Sequence, residues 1–327
     1  MKTRNFYRIF ITLLALLATG CTKEDITECG IVLEILSRPE DLTSRLTVAD
    51  VESVDVYIFD KDGYFVRAIK ETKENAVQGV YQIPILLDEG AYSFVVWGNV
   101  DGETHEISPS LVPGKSKLDD LMLIWKTEGD EIDETTGFPK HVYYGTIGDV
   151  DVKYEGRQYV DVTLSRNSKD ISVLMTGLPF EETEDGPSLY NFSAYIVANN
   201  SMFDFRNRVV DNGDKTYIPR SVATGEGLMQ EFVYFYESAS TDITNSSLIV
   251  VYHNPYTGED EILIQEPLRP DMIKLIEEKY GTGRSLDDVN EYDIVLRFNY
   301  SFGTIEIQVL SWEGHTLNGW RPGNPIY

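Results

Sequence analysis

The stretch from Val54 to Val66, VDVYIFDKDGYFV, carries the pattern that decides the fold. Its apolar residues alternate between the two faces of an extended strand, as residues do in a β-sheet. The two faces carry Val54, Val56 and Ile58 on one side and Tyr57 and Phe59 on the other. Turn-forming residues follow at 60–63, and a second alternating run follows them. The stretch therefore predicts a β-hairpin.

A second stretch, GAYSFVVWGN from Gly90 to Asn99, is apolar on both faces. Val95 and Trp97 oppose Phe94 and Val96, so neither face suits water. The pattern predicts a central strand that is covered on both sides.

Two further stretches, 159–175 and 292–312, each contain two alternating runs separated by polar residues or glycine. Short alternating strands with turn signals between them are typical of antiparallel sandwiches, and the chain is predicted to be all-β. One or two short helices are the exception: RPDMIKLIEEKYGTG has helical spacing from Pro270 to Gly281, whereas KLDDLMLIW, at 117–125, fits a helical turn or a strand equally well.

A domain boundary is predicted in TGLPFEETEDGPSL, where a glycine and two prolines bracket an acidic run. This boundary gives an amino-terminal sandwich over 29–178 and a carboxy-terminal sandwich over 179–327. The two halves contain similar strand-turn-strand units, which suggests a duplication, although few residues are identical between them.

The first residues have the layout of a secretory signal peptide, predicted over 1–20. Lys2, Arg4 and Arg8 precede an apolar run that is too short to span a bilayer. The small residues before Cys21 resemble the lipobox of bacterial lipoproteins, which implies acylation of Cys21, palmitate included. Because several acyl chains hold a protein stably on a membrane, Cys21 is the predicted lipid attachment site, and the lipid is the only cofactor expected.

A charged tract, Lys23-Glu24-Asp25, follows in the predicted linker 21–28. It resembles the export signal that sends lipoproteins to the cell surface in Bacteroidetes-type bacteria. The alternative is an ordinary solvated linker.

The charge balance excludes one class of partner. Loss of residues 1–20 would take the formal net charge from −26 to −29, and nucleic acid binding requires a basic surface. If Cys21 is acylated, Cys29 is the only remaining thiol, and a disulfide within the mature chain is excluded.

No catalytic or metal-binding spacing is found. The four histidines are scattered, and no serine lies in a G-x-S-x-G motif. DKDG at 60–63 resembles the opening of a calcium loop with Glu71 at its twelfth place, but the residues between alternate like a strand. We expect neither an enzyme nor a metal site.

The combined motifs resemble the FimB/Mfa-type fimbrial anchor family of type V pili. The motifs are the lipobox cysteine, ECGIVLEI with Cys29, VDVYIFDKDGYFV, GAYSFVVWGN and the closing strands DIVLRFNYSFGTIEIQVLSWEGHTLNGW. The resemblance implies two tandem transthyretin-like β-sandwich domains. It also implies a lipid-anchored protein of the outer membrane that holds a surface fimbria, limits its length and binds a fimbrial stalk subunit by β-strand addition.

The resemblance also raises the question of proteolysis, because a trypsin-like protease cuts the stalk subunits of this family after an arginine. Pro39 protects the bond after Arg38, which leaves Arg45 as the candidate site. A chain that is cut at Arg45 would be a stalk or tip subunit, and an uncut chain an anchor.

The alternative function is a surface lipoprotein that binds glycans in polysaccharide uptake. Such sites stack sugars on exposed aromatic rings. Trp97 and Trp312 are predicted core residues, and Trp320 fits either a packed or an exposed position. The tail 318–327, rich in glycine and proline, is either a free segment that takes part in fimbrial binding or a frayed end.

Overall fold

The computed structural model describes residues 30–37, 51–76, 80–127, 129–133, 140–153, 156–178, 191–235, 246–268, 290–301 and 304–311. Several predictions concern residues outside these ranges: the signal peptide, the linker, the helix after Pro270, Trp312, Trp320 and the tail.

The amino-terminal half contributes ten strands to the described part of the chain. They are β1 (Gly30–Ser37), β2 (Ser53–Asp60), β3 (Phe65–Thr72), β4 (Tyr81–Ile85), β5 (Gly90–Gly98), β6 (His105–Ser108), β7 (Met122–Trp125), β8 (Glu131–Asp133), β9 (Tyr143–Val152) and β10 (Arg157–Arg166). A 3-10 turn at Leu118–Asp120 precedes β7, so the segment 117–125 contains both a helical turn and a strand.

Seven of these strands form one sheet in the order β3-β2-β5-β9-β10-β1-β4. Its two ends close over a common core, because buried side chains of β2 and β5 cluster with those of β1 and β4. The alternation predicted for β2 is confirmed, since Val54, Val56 and Ile58 all point into this core. The result is the amino-terminal sandwich.

The carboxy-terminal half contributes ten more strands. They are β11 (Ser168–Thr176), β12 (Phe192–Ala198), β13 (Met202–Asp204), β14 (Lys215–Ile218), β15 (Arg220–Ala223), β16 (Gly227–Phe235), β17 (Ser247–His253), β18 (Asp260–Pro267), β19 (Glu291–Ser301) and β20 (Thr304–Ser311). One sheet has the order β15-β16-β11-β19-β20, and the facing sheet has the order β18-β17-β12-β14-β8. Ile171, Ile196, Val250 and Ile294 share the core between these two sheets.

The two sandwiches repeat one topology. In the first, β1 lies between β10, to which it is parallel, and β4, to which it is antiparallel. In the second, β11 lies between parallel β19 and antiparallel β16. The orders β3-β2-β5-β9 and β14-β12-β17-β18 also correspond. The predicted all-β fold with tandem sandwiches is confirmed, and the pairing supports the suggested duplication.

The junction between the sandwiches differs from the sequence prediction. The polar residues between Leu164 and Ile171 do not form a turn: β10 and β11 are separated by Asn167 alone and belong to different sheets. The predicted boundary after Leu178 assigns β11 to the amino-terminal domain, whereas β11 pairs with β16 and β19. Polar groups in this run bond to distant residues; the Asn167 N–H, for example, donates to the Val142 carbonyl at 2.7 Å.

Strand β5 is covered on both faces, as predicted. Phe94 and Val96 point into the amino-terminal core, and Val95 and Trp97 join the larger cluster that continues into the carboxy-terminal sandwich. Trp97 is fully buried, with its ring centroid 4.7 Å from that of Tyr144. A three-stranded sheet, β13-β7-β6, connects the two halves. The sandwiches therefore pack against each other through a continuous apolar interior.

Candidate functional site

The sequence-predicted site residues lie outside the described ranges. They are Cys21, Lys23, Glu24, Asp25 and Arg45. Their roles in lipid attachment, export and processing remain predictions. Among the residues that the structure describes, no helix has the length and apolar character needed to cross a bilayer.

The described chain bears directly on strand addition, because β1 occupies a groove in the amino-terminal sandwich. It pairs with β10 along its whole length and with β4 from Ile31 to Ile35. Leu33 and Ile35 are fully buried. Gly30 (φ +111°) permits the close approach, since a Cβ there would lie 2.8 Å from the Ile85 carbonyl oxygen. This groove is filled by the chain's own first strand.

The outer edges of the amino-terminal sheet are poor templates for a further strand. Pro84 lies within edge strand β4 and has no N–H to offer. The start of edge strand β3 is occupied, because the Phe65 N–H donates to the Ser116 carbonyl at 2.8 Å and its own carbonyl accepts the Gly114 N–H. Natural proteins protect sheet edges by such devices.

The carboxy-terminal sandwich has a different edge. β20 is the last strand of its sheet and pairs with β19 in an antiparallel hairpin, from Ser301–Thr304 to Val295–Ser311. Among the described strands of the amino-terminal sheet, the place beside β10 belongs to β9, which pairs with β10 only at Tyr143 and Tyr144. Its sequence, TIEIQVLS, contains no proline or glycine and alternates along its length. Within the described ranges, β20 therefore presents a long sheet edge that no proline interrupts and no other strand covers.

The other edges of the carboxy-terminal sandwich are less suitable than β20 for pairing with a strand of another protein. β15 and β8 contain four and three residues. β18 is longer, but its ends carry Asp260, Glu261 and Glu266, and it closes with Pro267. Charges and proline disfavour pairing with another strand.

The structure brings together a row of three side chains, Ser193, His253 and Asp260, that the sequence did not predict. His253 Nε2 lies 2.9 Å from Ser193 Oγ, and its Nδ1 lies 2.7 Å from Asp260 Oδ1. This is the atom order of a serine-hydrolase triad. Such an enzyme also needs free N–H donors for the oxyanion, and the Ala194 N–H next to the serine donates to Gln230 Oε1. The row links strands β12, β17 and β18 across one sheet face.

A second histidine, His105, lies in the apolar interior. His105 is completely buried at the start of β6, with its ring 5.0 Å from that of Trp125. Burial lowers the pKa of His105 to about 4, and the nearby Asp101 carboxylate opposes that shift. Its Nδ1 lies 2.8 Å from Thr104 Oγ1. His105 is thus a neutral core residue near neutral pH.

The calcium-loop resemblance at residues 60–63 corresponds to a hairpin turn. Asp60 Oδ1 accepts the N–H groups of Asp62 and Tyr64, each at 2.9 Å, and Gly63 has φ +77°. Glu71 lies on β3 and accepts a hydrogen bond from Asn75. No group of three metal-binding side chains is found within the described ranges.

The described aromatic residues do not form a sugar platform. Trp97 and Trp125 are buried. The exposed rings are Tyr159 (61%) and Tyr256 (67%), and they lie on different sandwiches. A glycan site with stacked rings is therefore not favoured by this part of the chain.

The model of the family of fimbrillin-A associated anchor proteins Mfa1 and Mfa2 matches residues 40–317. The chain belongs to this family. The resemblance inferred from the sequence motifs is thereby confirmed.

Relatives of the Mfa anchor family match along nearly the whole chain. The minor fimbrium anchoring subunit Mfa2 of Porphyromonas gingivalis is 23% identical over 342 residues, covering 96% of this chain and 97% of that protein. The solved fimbrial anchor protein Mfa2 of Porphyromonas gingivalis has a TM-score of 0.65 at 19% identity, covering 89% of this chain and 98% of its own. A solved structure of a putative adhesin from Bacteroides ovatus has a TM-score of 0.71 at 18% identity, covering 94% of this chain and 97% of its own. The two solved structures share the fold.

Proposed function

We propose that this member of the Mfa anchor family is an outer-membrane lipoprotein that holds a surface fimbria to the cell and limits its length. The family match and the relative named as a minor fimbrium anchoring subunit support this role. The chain binds a fimbrial stalk subunit by β-strand addition, in which main-chain hydrogen bonds give affinity and side-chain pockets give specificity.

One observation carries the placement of the binding site: β20 is an eight-residue edge strand, and no strand in the described part of the chain pairs with its outer side. The amino-terminal groove already contains β1. Strand addition therefore takes place at the carboxy-terminal sandwich, with β20 as the edge that meets the stalk subunit.

The part of the protein that attaches to the membrane lies at the amino-terminal end of the chain, opposite to β20. Cys21 carries the lipid, and Lys23-Glu24-Asp25 directs the protein to the cell surface. Arg45 remains uncut in an anchor, so the lipid stays on the same chain as the buried strand β1. This membrane end accounts for attachment to the outer membrane.

A pair of proline variants in β20 tests the site. Successive amides of a strand point to opposite edges. One of the two variants, Ile307→Pro and Gln308→Pro, therefore removes an N–H that points toward β19, and the other removes an N–H on the outer edge of β20. Each variant replaces the wild type in a fimbriated strain. Thermal unfolding identifies the variant that keeps its stability, and this is the outer-edge variant.

The outer-edge variant is expected to shed fimbriae into the medium while its own level and stability stay close to wild type. Wild-type retention of fimbriae by that variant would contradict binding at β20. The matched control comes from edge strand β18: of Glu261→Pro and Ile262→Pro, the variant that keeps its thermal stability has lost an outer-edge amide and should retain fimbriae.

A further inference from the structure

The two sandwiches share a feature of strand direction that bears on mechanical load. In the amino-terminal sandwich, first strand β1 and last strand β10 are parallel neighbours, with eight residue pairs from Gly30–Arg157 to Ser37–Leu164. A pull on the start of β1 and the end of β10 acts on opposite ends of this ladder. Because the ladder hydrogen bonds lie across the strands, sliding loads all of them together, whereas peeling breaks them one at a time.

The carboxy-terminal sandwich repeats the arrangement. Its first strand, β11, is parallel to β19, with seven pairs from Asp170–Glu291 to Thr176–Arg297. β20 is antiparallel to β19. Tension on the end of the chain therefore peels β20 from its end and then shears β19 against β11.

The two ladders are joined without a linker. β10 ends at Arg166 and β11 begins at Ser168. Polar contacts hold the junction between β10 and β11 on both sides. Arg166 Nη2 lies 2.5 Å from Asp170 Oδ2, and Lys169 Nζ donates to Asn290 Oδ1 at 2.9 Å. Both the Arg166 and the Lys169 side chains are largely buried. Load that leaves the first ladder thus enters the second directly.

We propose that the parallel pairs β1–β10 and β11–β19 are two shear clamps in series, which let the folded chain carry tension between its ends. The use of these clamps to hold a fimbria rests on the anchoring function proposed above. The shear geometry itself belongs to the ladders and does not require a fimbrial partner.

Single-molecule pulling on the whole chain tests the proposal. In the first geometry the handles are at the amino and carboxy termini. In the matched geometry the second handle is moved to a cysteine introduced as Lys153→Cys, in the turn before β10. Load then acts on one end of the β1–β10 ladder and peels it. Cys21 and Cys29 are replaced by serine in both versions so that the handles attach only where intended.

We expect β1 to leave its sheet at a several-fold lower force in the Lys153 geometry than the force that unfolds the chain between its termini. Forced unfolding is governed by the unfolding rate, so the two versions must first show equal unfolding rates in urea. Equal forces in the two geometries would overturn the proposal. No fimbrial subunit is present in this experiment, so equal forces would not count against anchoring at β20. Conversely, wild-type retention of fimbriae by the outer-edge β20 variant would not count against the shear clamps.

Discussion

The two sandwiches have the same strand order and different edges. In the first, β1 fills the groove, Pro84 interrupts edge strand β4, and the 112–117 segment bonds to the start of edge strand β3. In the second, the repeated pattern is complete with β19, and β20 is added beyond it. The two copies of one fold therefore differ at their described edges: those of the first copy are interrupted or occupied, whereas β20 of the second is long and uninterrupted.

The largest expected effect comes from Trp97, which joins the two copies. Trp97→Ala removes a fully buried ring from the interior shared by both sandwiches and should lower the free energy of unfolding by about 3–5 kcal/mol. Urea unfolding measures the loss of stability, and hydrogen exchange of the native variant should show reduced amide protection in both β5 and β13. Tyr159→Ala, at an exposed position, is the control and should stay within about 0.5 kcal/mol of wild type. Loss confined to the amino-terminal sandwich would contradict a continuous interior.

A slightly smaller effect is expected within the closed copy. Leu33→Ala in β1 should cost about 2–5 kcal/mol, because its side chain is fully buried in the amino-terminal core. Hydrogen exchange should speed up in β10 and β4, the two neighbours of β1. Leu86→Ala, at a largely exposed leucine, is the comparison. If both variants lose the same stability, β1 is not the strand that seals the groove.

The smallest effect concerns pH and the three-stranded sheet between the copies. Burial lowers the pKa of His105 to about 4, below the ordinary histidine value of 6.5. Since the unfolded chain binds this proton more readily, stability is complete above about pH 6.5 and is lost as the pH falls toward 4. The slope approaches about 1.4 kcal/mol per pH unit. Unfolding free energies measured across this range should show the slope in the wild type and a flatter curve in His105→Gln. An unchanged slope in the variant would assign the pH dependence to other groups.

Much of this comparison could be predicted from the sequence. Alternation placed Val95 and Trp97 against Phe94 and Val96, and it did so correctly because period-two spacing reports directly on the two faces of a strand. The hairpin at residues 60–63 followed from turn chemistry in the same way.

The junction could not be predicted in this way. The run SRNSKD reads as a turn because it is polar, yet its polar atoms bond to residues far along the chain, such as Val142 and Asn290. The row of Ser193, His253 and Asp260 was missed for the same reason, since it exists only through strand pairing. Local spacing does not report contacts between distant segments.

Binding at β20 can be tested by hydrogen–deuterium exchange of the full chain, with and without the purified fimbrial stalk subunit. We expect new protection of the β20 amides on addition of the stalk subunit, with no change in β1, which already lies between β10 and β4. Protection that appears along β3, β4 or β18 while β20 stays unchanged would contradict the claim that the carboxy-terminal sandwich binds the fimbria through its added strand.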